Sequence, residues 1–176
     1  PASGGSWNTF WTQIRSVNYF LENYHTVTGA PSLWEQYLGE AYFFRSYFYF
    51  SLLRDFGAVP WVSKPLKDDS EELYKARDPR NVVMDSIVAD LDKAILYMKS
   101  KDKAAASRLN KQVALLFKSR VCLFEGTWQK YHANTPFGVQ GSDGAKYLAL
   151  ARDAAKELID GGLYGIYRNG DPRLQP

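Results

Sequence analysis

The chain has 176 residues, of which 22 are Lys or Arg, 19 are Asp or Glu, two are His and one is Cys. This length suits one domain, and a hydrophobic content of 45% is enough to form a core. The net charge of +3 is too small to indicate a nucleic-acid-binding protein. The single Cys excludes an internal disulfide framework, and two His argue against a His-built metal site.

The chain is organised as helices joined by polar or Pro- and Gly-containing connections. Apolar residues recur at spacings of three and four in five segments, which predicts helices over about residues 7–24, 32–56, 79–98, 110–125 and 145–160. The first residues, Pro1–Gly5, contain neither an initiator Met nor the apolar core of a signal peptide. We therefore expect one α-helical region over residues 1–176 that is an internal piece of a longer protein.

The second predicted helix has recognisable ends and an unusual middle. Ser32 and Glu35 have the spacing of a capping box, and Gly57 is expected to end the helix. Residues 41–53 are apolar on nearly all sides, so we expect this helix to be covered on several sides. Arg45 interrupts the apolar run, which falls short of the about 18 residues that a membrane span needs.

The later helices are predicted from their ends and their small residues. Asp78 and Pro79 are expected to be the N-cap and the first residue of the third helix. Gly126 is expected to end the fourth helix, which leaves residues 127–144 as an exposed loop. The fifth helix resembles the first helix of a tetratricopeptide pair because small residues allow a neighbour to approach closely, at Ala151, Ala154 and Ala155. The predicted fold is all-α: a tetratricopeptide-like helical repeat scaffold with long loops.

The sequence contains no recognisable catalytic motif. It has no phosphate-binding loop, dinucleotide-binding glycine pattern, nucleophile elbow or pair of Cys at metal spacing. His25 and His132 are far apart in polar, turn-like settings, and Cys122 lies on an apolar helix where a buried structural thiol is expected. We therefore expect no catalytic residue, no metal and no cofactor, and an enzyme is the weaker interpretation.

Aromatic residues make up 15% of the chain, which is more than a bare helical scaffold needs. Large rings fill helix interfaces, and they also form flat faces against which sugars stack. Trp7 and Trp11 lie one helical turn apart beside Asn8, and Trp128 lies where the fourth helix meets its loop. A ring flanked by amides suits a carbohydrate, because the ring covers the apolar C–H face and the amides bind hydroxyls. These four residues are candidate ligand-binding residues, although each ring could instead be packed inward.

Residues 39–60 resemble the signature of the SusD/RagB family. The segment begins Gly-Glu-Ala, continues as an aromatic-rich helix that contains Arg45, and ends Phe-Gly-Ala-Val-Pro. Three other segments agree with the family in order: Trp7–Asn18, Arg108–Phe124 and Tyr147–Tyr164. The resemblance spans nearly all of the chain. It implies that the chain is an incomplete, N-terminal helical part of a larger SusD-like fold.

The resemblance also implies a function and a location. Members of the family are non-catalytic subunits that bind oligosaccharides, or peptides in the RagB-like branch, and deliver them to a SusC-like TonB-dependent transporter. They lie on the external face of the cell outer membrane, attached by a lipid anchor. The signal segment and the lipid-attachment Cys are not present in this sequence, and Cys122 in the middle of a helix cannot be that anchor. No nucleic acid is expected as a partner.

Residues of the signature are expected to be architectural: Glu40, Arg45, Phe56, Gly57 and Pro60. Gly57 permits the backbone turn that Pro60 then stiffens. Two functions stay open at this point. The first is a glycan-binding subunit of an uptake complex, and the second is a tetratricopeptide-like adaptor that binds a protein segment in its concave face.

Overall fold

The computed structural model describes residues 5–165, which form five α-helices joined by loops. The helices are α1 (Gly5–Asn23), α2 (Glu35–Phe56), α3 (Arg80–Tyr97), α4 (Lys111–Tyr131) and α5 (Ala145–Asp160). Three short 3-10 helices lie in the connections, at Tyr24–Thr26, Pro31–Leu33 and Glu71–Tyr74. The prediction of an all-α, tetratricopeptide-like scaffold is confirmed, while a single region over residues 1–176 stays a prediction. No helix within residues 5–165 is long and apolar enough to cross a membrane.

Each helix packs against the next helix in the chain, and contacts between the start of one helix and the end of the next show that consecutive helices run in opposite directions. Trp7 at the start of α1 lies against Phe56 at the end of α2. Arg80 at the start of α3 pairs with Glu125 in the second half of α4. One end of the bundle therefore combines the starts of α1 and α3 with the ends of α2 and α4.

The core lies along α2 and α3 and is closed by α1, α4 and the connection that follows α2. Its fully buried apolar side chains include Ile14, Leu38, Tyr49, Leu52, Leu53, Val59, Val83, Met84, Ile87, Leu91, Val121 and Cys122. These residues remove the apolar faces of the helices from water, which is the main favourable contribution to folding.

Arg45 connects three elements from inside α2. Its guanidinium donates to both carboxylate oxygens of Asp90 on α3, at 2.6 and 2.8 Å. It also donates to the side-chain oxygen of Asn18 on α1 at 2.9 Å and to the carbonyl of Ser63 at 3.1 Å. Both charges of the Arg45–Asp90 pair are buried, so each depends on the other for compensation. These contacts support the architectural role predicted for Arg45.

α2 is covered on several sides, and one strip of it remains exposed. Phe43 and Phe50 pack against Phe117 of α4, with ring centroids 5.2 and 6.0 Å apart. Phe44 and Tyr47 are 42% and 45% exposed. A helix in a repeat array has neighbours on only some of its sides, which is why an apolar circumference does not become fully buried.

Two predicted helix caps are wrong. Ser32 lies within the short 3-10 helix that precedes α2, and α2 begins after Trp34 without a side-chain cap. Asp78 does not cap α3. Its carboxylate instead accepts hydrogen bonds from the backbone N–H of Trp61 and from Lys75 Nζ, both at 2.7 Å. Contacts within the connection between α2 and α3 therefore engage the Asp78 carboxylate, which the capping pattern had assigned to the start of α3.

The predicted end of the fourth helix near Glu125 is also wrong, because α4 continues to Tyr131. Gly126 lies inside the helix, where a Cβ added to it would be 2.7 Å from Leu148 Cγ and 2.9 Å from Leu148 N. Glycine is needed here because α5 approaches closely. Residues 127–131 are consequently helical, and the loop is confined to the segment before α5.

The remaining signature residues lie at the ends of α2. Glu40 accepts a hydrogen bond from Arg108 Nε at 2.9 Å, which ties α2 to the segment before α4. Gly57 has a φ of +72°, a backbone conformation that favours glycine, so α2 ends there as predicted. Pro60 follows Val59, which makes an isolated antiparallel bridge with Asp78. The contact of Glu40 and the backbone of Gly57 agree with an architectural role, and the role of Pro60 stays a prediction.

Candidate functional site

One end of the bundle collects aromatic side chains from four elements. The start of α1 and the end of α2 supply Trp7 and Phe56, whose ring centroids lie 5.0 Å apart with an interplanar angle of 84°. The end of α4 and the loop after it supply Trp128 and Phe137, which are joined by a hydrogen bond of 3.0 Å from Trp128 Nε1 to the Phe137 carbonyl. The antiparallel helices thus bring residues that are far apart in sequence to one surface.

Trp7 is half-buried among neighbouring side chains. In addition to Phe56, it contacts Trp11 edge-to-face with centroids 5.5 Å apart, and the guanidinium of Arg77 lies 5.7 Å from its ring centroid. Asn8, the next residue, is exposed. Trp7 and Asn8 are therefore accessible at the surface, and their ligand-binding role stays a prediction.

Trp11 is half-buried and packs toward the core. Its ring is edge-to-face with that of the buried Tyr49, with centroids 5.9 Å apart. It lines a separate, mainly apolar pocket of about 260 Å³ together with Leu66 and Leu73 of the connection after α2. Its indole Nε1 is buried and has no hydrogen-bond partner among the described residues. These contacts favour a packing role for Trp11, and its ligand-binding role stays a prediction.

The indole ring of Trp128 already packs against neighbouring side chains. The His132 ring lies nearly parallel to it, at 14° with centroids 4.0 Å apart. The guanidinium of Arg80 lies 4.5 Å from the indole centroid. Because the indole N–H also donates a hydrogen bond to the Phe137 carbonyl, the geometry favours a role for Trp128 in positioning the loop. A direct contact of Trp128 with ligand stays a prediction.

A cleft of about 650 Å³ opens at this end of the bundle. Its volume lies within the roughly 300–1,000 Å³ that is typical of small-molecule sites. The lining includes Phe56 and Phe137, which are 37% and 71% exposed, and the amide-bearing residues Asn81 and Gln140. Trp128 contributes to the same lining. The cleft thus combines accessible ring surface with groups that can donate and accept hydrogen bonds.

A chain of buried polar side chains lies behind the cleft. Glu125 is fully buried and accepts from Arg80 Nε at 3.0 and 2.8 Å and from Gln129 Nε2 at 2.7 Å. Gln129 is also fully buried and accepts from the hydroxyl of Ser142. Arg80 Nη1 donates to the Leu53 carbonyl at 3.2 Å. The start of α3 is thereby connected through α4 to the end of the loop.

Much of this arrangement is not indicated by the sequence pattern. Glu125 and Gln129 are four residues apart on one helix, which is a signal for a side-chain pair, but their shared burial depends on the packing of α3 and the loop. Phe137 lies in a Pro- and Gly-containing segment with no periodicity. Phe56 was expected to be architectural, and the structure places it in the lining of the cleft.

Other chemically notable side chains lie outside the cleft. Burial raises the pKa of the Cys122 thiol to about 12, which keeps it protonated and supports the prediction of a structural thiol. His25 lies just after α1 and contacts Tyr24, with ring centroids 6.1 Å apart. The described lining of the cleft therefore combines rings, amide-bearing residues and Arg80, whose charge is paired with Glu125 behind the cleft, and these groups suit binding.

Comparison with known proteins identifies relatives of this chain. A SusD-like family described as starch-binding and associating with the outer membrane matches residues 2–123. SusD-like protein P2 from Formosa agariphila is 28% identical over 130 residues, which cover 72% of this chain and 26% of the relative. The chain thus spans about a quarter of that relative's length.

Solved structures with similar folds agree with this match. A SusD homolog from Bacteroides thetaiotaomicron superposes with a TM-score of 0.75 at 24% identity, covering 92% of this chain and 30% of that protein. A laminarin-binding SusD-like protein gives a TM-score of 0.61 at 25% identity, covering 73% of this chain and 28% of that protein. Since the family match extends over more than half of the chain, this chain belongs to the SusD-like family.

Proposed function

We propose that this chain is part of a non-catalytic protein that binds an oligosaccharide at the bacterial outer membrane. One observation supports this function most directly: the cleft at the end of the bundle combines exposed Phe56 and Phe137 rings with the amides of Asn81 and Gln140. The family's description as starch-binding and the laminarin-binding relative support carbohydrate as the ligand class. Because the chain spans less than a third of its relatives, the function is proposed for the protein as a whole.

Two physical contributions would bind a sugar at such a surface. An aromatic ring covers the apolar C–H face of a pyranose, and on the scale of base–aromatic stacking each ring contributes about 1–3 kcal/mol. Each hydrogen bond to a sugar hydroxyl contributes a net free energy of about 0.5–1.5 kcal/mol, because water competes for the same groups. No covalent bond changes, so the ligand is released in the form in which it was bound.

The proposed function extends to delivery of the ligand. The bound oligosaccharide would pass to a SusC-like TonB-dependent transporter, with the protein attached to the external face of the outer membrane by a lipid anchor outside this sequence. The family's association with the outer membrane supports this location. Co-purification with a transporter of this type, and loss of oligosaccharide uptake when the gene is deleted, are the expected results. A protein that purifies alone from the cytoplasm would contradict the delivery function.

A second function, a tetratricopeptide-like adaptor for a protein segment, has one observation in its favour. Phe44 and Tyr47 of α2 and Leu116 of α4 form an exposed apolar strip and line a shallow groove of about 420 Å³. A peptide ligand, as in the RagB-like branch, would bind to such an apolar surface in the same way as a protein segment. Measuring the binding of oligosaccharides and of peptides to the same protein distinguishes the two functions.

A combined oligosaccharide and peptide array tests the proposed function. The expected result is binding of one or more oligosaccharides and of no peptide. Binding of peptides alone would support the adaptor or the RagB-like function and contradict glycan binding.

Variants of α1 test the predicted site residues. Trp7→Ala is expected to weaken binding of the oligosaccharide found on the array by about 1–3 kcal/mol. Asn8→Ala is expected to weaken it less and to leave the melting temperature unchanged, because Asn8 is exposed. Tyr19→Ala is the control, since Tyr19 is an exposed ring on the same helix. Unchanged affinity in both Trp7→Ala and Asn8→Ala would exclude these residues from the site.

A further inference from the structure

We propose that the cleft binds a neutral oligosaccharide against the rings of Phe56 and Phe137, and that a relay of polar side chains holds the loop of residues 133–143 in place before the ligand arrives. This inference rests on the proposed function and adds to it the chemical class of the ligand and the residues that bind it. The relay consists of Glu125, Gln129 and Ser142.

Phe137 has a fixed backbone and a free side chain. Its carbonyl accepts from Trp128 Nε1 at 3.0 Å, and its N–H donates to Thr135 Oγ1 at 3.3 Å. The ring itself is 71% exposed although it is one of the larger apolar groups in the chain. Because the backbone of Phe137 is already held, only its side chain has to be ordered when a ligand covers the ring, and this lowers the cost of binding.

Phe56 supplies the ring on the helical side of the cleft. It is 37% exposed, and Trp7 contacts it edge-to-face with centroids 5.0 Å apart. Trp7 is therefore a positioning residue for Phe56 in addition to being a candidate contact. Asn81 and Gln140 line the same cleft, and their side-chain amides can donate to and accept from sugar hydroxyls.

The charges around the cleft indicate a neutral ligand. Among the described residues that line it, Arg80 is the charged one. Its guanidinium is already paired with the buried carboxylate of Glu125 and stacked on Trp128. An anionic sugar would have to compete with Glu125 for Arg80, and a cationic sugar would find no carboxylate in the described lining. A neutral sugar binds through its hydroxyl groups and needs neither a free guanidinium nor a carboxylate.

The position of the loop depends on close contacts as well as on the relay. Gly138 leaves no space for a side chain, because a Cβ there would lie 2.0 Å from the His132 carbonyl oxygen. At the other end of the loop, Ser142 donates to Gln129, and Gln129 donates to Glu125 at 2.7 Å. Gln129 and Glu125 are fully buried and Ser142 is half-buried, so water is kept from the Gln129–Glu125 hydrogen bond on which the contact with the loop rests.

Titration calorimetry with laminari-, xyloglucan-, cello- and malto-oligosaccharides tests the ligand class, with an oligogalacturonide and a chitosan oligomer as anionic and cationic probes. We expect at least one neutral oligosaccharide to bind, with an affinity that changes less than about twofold between low and high salt, because no ion pair with the ligand forms. A preference for the oligogalacturonide or the chitosan oligomer, or strong weakening by salt, would overturn the neutral class.

Variants of the two rings test the site with the neutral oligosaccharide that binds best. Phe137→Ala is expected to reduce its affinity about tenfold or more at an unchanged melting temperature. Phe56→Ala should reduce affinity similarly. Tyr74→Ala is the control, because Tyr74 is an exposed ring elsewhere on the surface. Full affinity in Phe137→Ala would overturn this inference while leaving the proposed function standing, since glycan binding would remain. A protein that binds no oligosaccharide would overturn both.

Variants at Ser142 and Gly138 test whether the relay and the close contact of Gly138 hold the loop in place. Ser142→Ala is expected to reduce affinity several-fold and to speed hydrogen exchange of the amides of residues 135–140, while Ser142→Thr, which keeps a hydroxyl, restores both. Gly138→Ala should have a larger effect on both readouts, because the loop must move away from His132. Unchanged affinity and exchange in both Ser142→Ala and Gly138→Ala would overturn the relay.

Discussion

Gly126 of α4 lies so close to Leu148 of α5 that a Cβ at position 126 would be 2.7 Å from Leu148 Cγ and 2.9 Å from the Leu148 backbone nitrogen. A side chain can move away from such a contact, but the backbone of α5 can do so only if the helix shifts. The absence of a side chain at residue 126 therefore sets the distance between α4 and α5.

Gly126→Ala is expected to lower the free energy of unfolding by about 1–3 kcal/mol, the usual range for overpacking, even though alanine is the better helix former. Urea unfolding monitored by circular dichroism measures the change. Gly165→Ala is the control, because no atom of residues 5–165 lies within 4 Å of a Cβ added at Gly165. A Gly126→Ala variant that is more stable than the wild type would mean that α5 can move away without loss.

Asp90→Ala is expected to destabilise the protein by about 3–5 kcal/mol, because it leaves the charge of Arg45 buried without its partner. Asp160→Ala removes the partner of Lys156 in an exposed pair and is expected to change stability by less than about 1 kcal/mol. Chemical unfolding of the two variants side by side makes the comparison. Similar losses in both would contradict the structural importance of the Arg45 contacts.

Phe50→Ala and Phe44→Ala compare two rings of the same helix. Phe50 is 7% exposed and Phe44 is 42% exposed. We expect a loss of about 3–5 kcal/mol for Phe50→Ala and a clearly smaller loss for Phe44→Ala, because only the first leaves a cavity. Both substitutions change helix propensity equally, so the difference in unfolding free energy reports packing. Equal losses would show that the strip containing Phe44 is covered in the protein.

The Cys122 thiol is expected to resist a thiol-specific reagent in the folded protein at about pH 9 and to react rapidly in concentrated urea. Burial raises its pKa to about 12, whereas an unfolded thiol titrates near about 8.5. The folded state therefore keeps a proton that the unfolded state releases, and this contribution to stability is complete below about pH 8.5 and is lost as the pH rises toward 12. In Cys122→Ala the decline of stability with rising pH should be shallower. Fast labelling of the folded protein would contradict burial of the thiol.

The sequence by itself determined the number and approximate positions of the helices. Apolar spacing of three and four depends only on residues within a few turns of one another, so it predicted α1, α3 and α5 to within a few residues. The end of α2 at Gly57 was also predicted, because a positive φ at a glycine is a local property of the backbone. The aromatic-rich segment of residues 39–60 was enough to identify the family.

At other positions the local sequence pattern was ambiguous, and contacts in the tertiary structure decided the role of the residue. Gly126 has the residue type of a helix end, yet α4 continues through it because α5 needs the space. Asp78 has the position of an N-cap, yet its carboxylate binds the backbone N–H of Trp61 in the preceding connection. In both cases a local pattern has two possible uses, and a contact with a distant segment selects one of them.

The candidate site shows the same division. Trp7 and Trp128 could be selected from the sequence as rings near amides, but their association with Phe56 and Phe137 could not. These residues come together only because antiparallel helices place the starts of α1 and α3 beside the ends of α2 and α4. Helix formation is decided by neighbours along the chain, whereas a cleft is decided by side chains far apart in sequence, whose packing no local pattern encodes.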